Sequence, residues 1–148
     1  MKIPAVRSLM HSTSACRFAG GMALSLSSGL DTHQSILLSA KLIEDPYFSE
    51  KIDSCISQIE TGADYYEALR SADIFSGVYA RMAAVGSKTG TMDTIMSEIA
   101  NGYRNELDNK INNAIAIIEP TLVVILSLFV GIILLSVMVP LLSIVTAL

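Results

Sequence analysis

The residues best equipped for chemistry in this sequence are the run Gly86-Ser87-Lys88-Thr89-Gly90, two histidines, two cysteines and a scatter of carboxylates. A glycine-rich turn carrying a lysine is the raw material of a phosphate-binding loop, in which bare backbone N–H groups and one ammonium surround a phosphate. That loop needs Gly immediately before the Lys, another Gly five positions earlier and a strand leading in. Here Ser87 precedes Lys88, Met82 occupies the earlier position, and helical spacing leads in. The run is therefore read as a glycine-hinged turn between two helices, with Thr91 capping the second. His11 and His33 stand alone in polar stretches and are read as solvated surface residues. Cys16 and Cys55 have no CxxC partner and no ligand-like grouping with the histidines, which supports neither a disulfide scaffold nor a thiolate metal site. Cys55 is read as a small buried hydrophobe. Asp64, Glu67, Glu98, Glu106 and Asp108 could converge on a cation across helices, but a solvated acidic face accounts for them more simply. Tyr65 and Tyr66 read as core or rim residues. No catalytic set, cofactor site or metal site is expected.

The composition narrows the class. The chain has 148 residues, enough for about one domain. Its 10 basic and 14 acidic residues give a net charge of −4, which argues against a nucleic-acid binder. Charged residues are only 16% of the chain while hydrophobic ones are 51%, so a wholly soluble protein and a disordered one are both poor fits.

The charge also stops abruptly. Every Lys and Arg lies between Lys2 and Lys110, every Asp and Glu between Asp31 and Glu119, and residues 121–148 carry none. Residues 121–139 make 19 positions before Pro140, about 28 Å of helix at 1.5 Å per residue, against a hydrocarbon core of about 30 Å. One transmembrane helix is predicted there, with a short apolar tail at 140–148. Arg104 and Lys110 flank the near side and no basic residue follows the span, so the body is expected in the cytoplasm and the tail on the far face or lying in the outer leaflet. The opening residues, MKIPAVRSLM, have too short an apolar run for a signal peptide.

What precedes the span reads as helix throughout, an all-α antiparallel bundle of about six helices whose last helix continues into the membrane. A lead-in at 1–13 is followed by a bundle domain at 14–113 and a segment at 114–120 that reaches the membrane. Ala15, Phe18, Ala19, Met22 and Leu26 mark the first helix, which Gly29 ends. Asp31 and Gln34 form a capping-box pattern, and Asp45-Pro46 a cap followed by a first-turn proline. Phe48, Ile52, Cys55, Ile56 and Ile59 give one stripe, closed at Gly62. A short helix over ADYYEALRSA follows. The fifth helix is expected from about Phe75 through Val78, Met82 and Val85 to a break at GSKTG. The sixth carries Met92, Ile95, Ile99, Tyr103, Leu107, Ile111, Ala114 and Ile118 along one face. Pro120 deprives the carbonyl of Ala116 of its donor, so a bend is expected near the membrane surface. Glu119, just before the apolar run, is either an interfacial charge facing water or a contact for a basic group on a partner.

Taken in order, Ala15-Cys16-Arg17-Phe18, Ser28-Gly29-Leu30, Gly62, Gly86-x-x-Thr89-Gly90, Tyr103, and Glu119-Pro120 opening a helix with Gly131 and Pro140 resemble the type II secretion system F domain. That domain occurs in the inner-membrane platform proteins of type II secretion and type IV pilus systems. The resemblance runs over about residues 14–140. It covers only the second of the family's two cytoplasmic helical domains and the last of its membrane helices. It departs at Ser87, where the family usually has Glu. It implies a non-enzymatic assembly role: contact with a hexameric secretion ATPase, with other inner-membrane components, with pilin-like subunits and with further copies of the chain. A tail-anchored adaptor or receptor, whose bundle binds an unrelated soluble partner, is the alternative the same topology allows.

Overall fold

A computed structural model describes residues 4–148; the first three residues of the expected lead-in lie outside the described residues. Six helices follow one another, and there is no strand among the described residues: α1 (Pro4–Ser27), α2 (Thr32–Ala40), α3 (Pro46–Glu60), α4 (Tyr65–Ser71), α5 (Val78–Thr89) and α6 (Met92–Ala147). The chain divides into two compact units, Met1–Asp108 and Asn109–Leu148. The first holds α1 to α5 and the start of α6; the second is the distal part of α6.

Short polar side chains set the helix starts. Asp31 Oδ1 accepts from Gln34 N at 2.7 Å, which forms the aspartate half of the expected capping box. Asp45 Oδ1 accepts from Tyr47 N at 3.2 Å, with Pro46 in the first turn, where its missing N–H leaves nothing unpaired. Asp64 does the same for α4, accepting from Tyr66 N at 3.2 Å. At the other ends, α1 and α3 stop at Gly29 (φ 91°) and Gly62 (φ 100°), a conformation that residues with a Cβ avoid. There the chain closes with Leu30 N donating to Ser25 O and Ala63 N to Gln58 O, the longer bond of a Schellman turn in each case.

The core is built from Phe18 and Met22 of α1, Ile36 of α2, Phe48 and Ile52 of α3, Leu69 of α4, and Met96, Ile99 and Tyr103 of α6. A chain of tilted rings runs through it: Phe48 to Phe18 at 6.3 Å between centroids, Phe18 to Phe75 at 6.0 Å, and Phe75 to Tyr103 at 6.2 Å. Each buried ring contributes roughly 1.5–3 kcal/mol. Phe75 and Ile74 come from the segment between α4 and α5, not from a helix, and both are buried. The segment is held from outside by Lys51, whose Nζ donates to Asp73 O at 3.0 Å and pairs with Asp73 Oδ2 at 3.2 Å. Asp73 has φ 54°, so the lysine fixes the one non-glycine residue of positive φ among those described.

Several expectations are corrected. The first helix begins at Pro4, so the described part of the lead-in is helical. α5 begins at Val78, because Phe75 leaves the helical path to enter the core. Val78 and Val85 are more than half exposed; the buried side of α5 is Ala83 and Gly86, with Tyr79 and Met82 packed beside them. On the apolar face of α6 cover fades after Tyr103: Leu107 is partly buried, and Ile111, Ala114 and Ile118 are exposed. His11 is not a freely solvated side chain, since its ring meets Phe48 edge-on at 5.5 Å.

These burial differences rank two substitutions. Ile99→Asp places a charge at a fully buried position and is expected to cost on the order of 4 kcal/mol or more, removing the cooperative thermal transition. Ile56→Asp, at a partly buried position, should lower the melting temperature and leave the transition intact. Far-ultraviolet circular dichroism of the detergent-solubilised chain against temperature distinguishes the two.

Candidate functional site: the α5–α6 turn and the apolar reach of α6

The run Gly86–Gly90 is not a free turn. Residues 86–89 are the last turn of α5, and the reversal is made by Gly90 alone, which is left-handed (φ 71°) and lets Thr91 N donate to Gly86 O at 3.2 Å. Thr89 Oγ1 donates back to Val85 O at 2.9 Å, and the hydroxyls of Thr89 and Thr91 meet at 2.7 Å. Gly86 is inside the helix for a packing reason. A Cβ there would stand 2.9 Å from Cγ1 and 3.0 Å from Cβ of Ile95, so only glycine lets α5 lie this close to α6.

The convergence of helix ends leaves a groove of about 490 Å³, lined among others by Leu26, Tyr65, Gly86, Ser87 and Gly90. Two carboxylates, Asp64 and Asp93, stand on it, and no basic residue lines it. A second groove of about 480 Å³ shares Asp93 and adds Glu98 and Leu24, the latter 71% exposed. Together they form an acidic surface with apolar patches. No three of His, Cys, Asp and Glu stand together where they could hold a metal ion among the described residues.

Further along α6, a second glycine admits an aromatic ring. A Cβ on Gly102 would lie 2.6 Å from Cε1 of Tyr79, so the Tyr79 ring rests on the α6 backbone. Its centroid is 4.3 Å from that of Tyr103, and its hydroxyl donates to Glu106 Oε1 at 3.1 Å. Tyr103 in turn accepts from Ser76 N at 3.4 Å. Glu106 is thus a half-buried acceptor and not a member of a solvated acidic face. Desolvation pushes the Tyr79 phenol up to about 12, and the Glu106 carboxylate adds to the shift. Tyr103 is raised as well, mainly by burial.

The remaining residues singled out in the sequence scatter. Phe18 and Tyr103 are both buried, linked through the ring of Phe75. Arg17 is on the surface of α1, 3.6 Å from Glu44, with both side chains at least half exposed; such a pair adds little stability. Gly29 and Gly62 close their helices. Cys55 is buried, its thiol pushed up to about 11 by desolvation. Glu119, Pro120, Gly131 and Pro140 belong to the second unit, and both prolines sit inside α6. In that unit the large apolar side chains are about half exposed or more on every side, and the helix is long and apolar enough to cross a membrane.

Comparison with known proteins now has a structure to refer to. The family model for the type II secretion system (T2SS), protein F, matches residues 18–140. This chain belongs to that family. The match takes in the core from Phe18 onward, both carboxylates of the larger groove and the apolar helix to Pro140. The type IV pilus assembly protein PilC of Thermus thermophilus is 27% identical over 146 residues, 98% of this chain and 36% of that protein. The PilC of Myxococcus xanthus is 28% identical over 141 residues, 95% of this chain and 34% of that one. The type II secretion system protein F of Pseudomonas aeruginosa is 24% identical over 143 residues, 97% of this chain and 35% of that protein. The chain thus spans about a third of the length of the curated relatives it matches.

Sequence reading missed Tyr79, Gly102 and Glu106 as a unit, although an aromatic residue and a mid-helix glycine, costly on propensity alone, were the available signal. The unit has a titration signature. In a phenolate absorbance titration, Tyr79 and Tyr103 should ionise above the ordinary tyrosine range. Glu106→Gln should bring Tyr79 part of the way back toward 10, since desolvation is the larger cause. Because the folded value is the raised one, this stabilisation is complete below pH 10 and is lost as pH rises toward 12. Stability against urea, measured across that window, should fall less steeply in the variant.

Proposed function

We propose that this chain acts as a non-enzymatic platform component of a type II secretion or type IV pilus machine, held in the inner membrane by α6. The observation that carries the reading is the single family match that embraces both the helical core and the apolar helix. Arg104 and Lys110, just before the apolar run, support through the positive-inside preference a bundle in the cytoplasm, with residues 140–148 at the far face.

On this reading the bundle offers its acidic grooves to a soluble component, the hexameric ATPase of the machine. Gly86, Thr89 and Gly90 fix the shape of the turn that borders the larger groove. The span meets pilin-like subunits, other inner-membrane components and further copies of the chain, with Gly131 allowing a neighbouring helix to come close. Glu119, next to Pro120 at the membrane surface, meets a basic group on one of these partners. Residues 91–139 carry displacement between the two, because a hydrogen-bonded helix is stiff along its axis. Ser87, at a groove-lining position, supplies no carboxylate where the family usually has Glu, so the ATPase contact relies on Asp64 and Asp93.

Site-specific photocrosslinking in living cells tests this. A photoreactive residue in place of Ser87 should capture the machine's ATPase, and Asp64→Lys with Asp93→Lys should abolish that adduct while the protein stays in the membrane. Glu119→Gln should leave membrane insertion unchanged and reduce pilus or secretion output. Capture of only unrelated soluble proteins, or wild-type output from both variants, would return the chain to the adaptor reading.

A further inference from the structure

The distal part of α6 is longer than a membrane requires. Residues 121–147 make 27 helical positions, about 40 Å, whereas the hydrocarbon core is about 30 Å thick. Resting on the reading that α6 spans the bilayer, we propose that the turns 116–120 and 136–140, each ending in a proline, mark the two edges of the hydrocarbon. Residues 141–147 then form a lipid-bound foot at the far headgroup boundary.

Three observations carry this. Proline has no N–H, so the helix leaves the carbonyls of Ala116 and Ser136 without their regular donors. An unpaired carbonyl is costly in hydrocarbon and is satisfied by water at an interface. These two carbonyls are 20 residues apart, about 30 Å along the helix, which is the thickness of the core. When one sits at the near edge, so does the other at the far edge. Next, the segment beyond Pro140 is two-sided. Leu141, Ile144 and Val145 follow the i, i+3, i+4 spacing of one helix face, while Ser143 and Thr146, three apart, lie on the other, with Leu142 on the flank between Val145 and Thr146. A segment wholly immersed in acyl chains has no use for such sidedness. Finally, Leu141, Ile144 and Val145 are 55–68% exposed, and the segment carries no charge, so lipid is the medium that covers the apolar face without requiring a partner. A headgroup boundary supplies both environments at once, acyl chains below and water above.

The sequence contains no tryptophan, so single tryptophans report without background. The full chain is reconstituted in phosphatidylethanolamine–phosphatidylglycerol vesicles with Ser143→Trp, Ile144→Trp, Val145→Trp, Thr146→Trp or Phe129→Trp. Quenching is read with acrylamide and with lipids brominated near the headgroup end or near the acyl terminus. Positions 144 and 145 should be quenched by bromine near the headgroup end and be several-fold less sensitive to acrylamide than 143 and 146. Equal acrylamide access at all four would put the segment in water and overturn the proposal. Uniform shielding from acrylamide, with depth changing steadily along the four, would mean a tilted span running through Pro140 and would overturn it too. Phe129→Trp separates the two levels: it should be quenched by bromine at the acyl terminus, and acrylamide access there would remove the spanning reading itself.

Discussion

Hydrocarbon accepts a polypeptide only when every backbone N–H and C=O is paired within the segment, and that constraint shapes α6 more than any contact it makes. A helix meets it residue by residue. The polar side chains that remain comply where they can: Thr121 and Ser136 donate their hydroxyls to carbonyls four residues back, at 2.8 and 2.9 Å. The charges comply by absence, since none follows Glu119. The two prolines are the exceptions, and their spacing is what makes them informative.

The bundle answers to a different solvent, and its solution depends on close approach. Gly86 against Ile95 and Gly102 under Tyr79 are two points along α6 where a methyl group would collide with its neighbour. A third lies between α1 and α2, where a Cβ on Gly21 would stand 2.8 Å from Cδ1 of Leu42 and 2.9 Å from Oγ of Ser39. Helices this close place small residues between them and leave the larger side chains to fill the remaining space. The ring chain from Phe48 to Tyr103 occupies that space. The small side chains Ser35 and Ser39 of α2 are fully buried.

This explains which parts of the fold could be read from sequence. Asp31 and Asp45 were legible because a cap is a contact between residues two or three apart, with no tertiary term. The stripe of α3 and the uncharged run of α6 were legible because each repeats one residue type at one period. α5 was not, because pattern reading ranks Val78 and Val85 above Gly86, and the interface selected the smaller residue. The run Gly86–Gly90 read as a broken segment, yet a single left-handed residue, Gly90, is all that a helix end requires. Phe75 and Ile74 lie outside any periodic element, and the contact that ties their segment to α3, Lys51 with Asp73, spans 22 positions. Of the candidate site, the turn glycines were legible as types; the groove they border was not, since Leu26, Asp64 and Asp93 meet only in the folded chain.

The same contrast separates the groups with shifted proton affinities from the exposed charge. The shifted groups face one another or the core: Tyr79 meets Tyr103 and Glu106, and Cys55 is on the buried side of α3. None of the three lines either acidic groove. Tyr79 and Tyr103 lie where α5 packs on α6. The groove carboxylates, by contrast, stay on the surface, where they can meet a cationic partner without first displacing an internal one. The perturbed groups are thus held in packed contacts while the groove carboxylates are open to solvent, an arrangement in keeping with the assembly role proposed above.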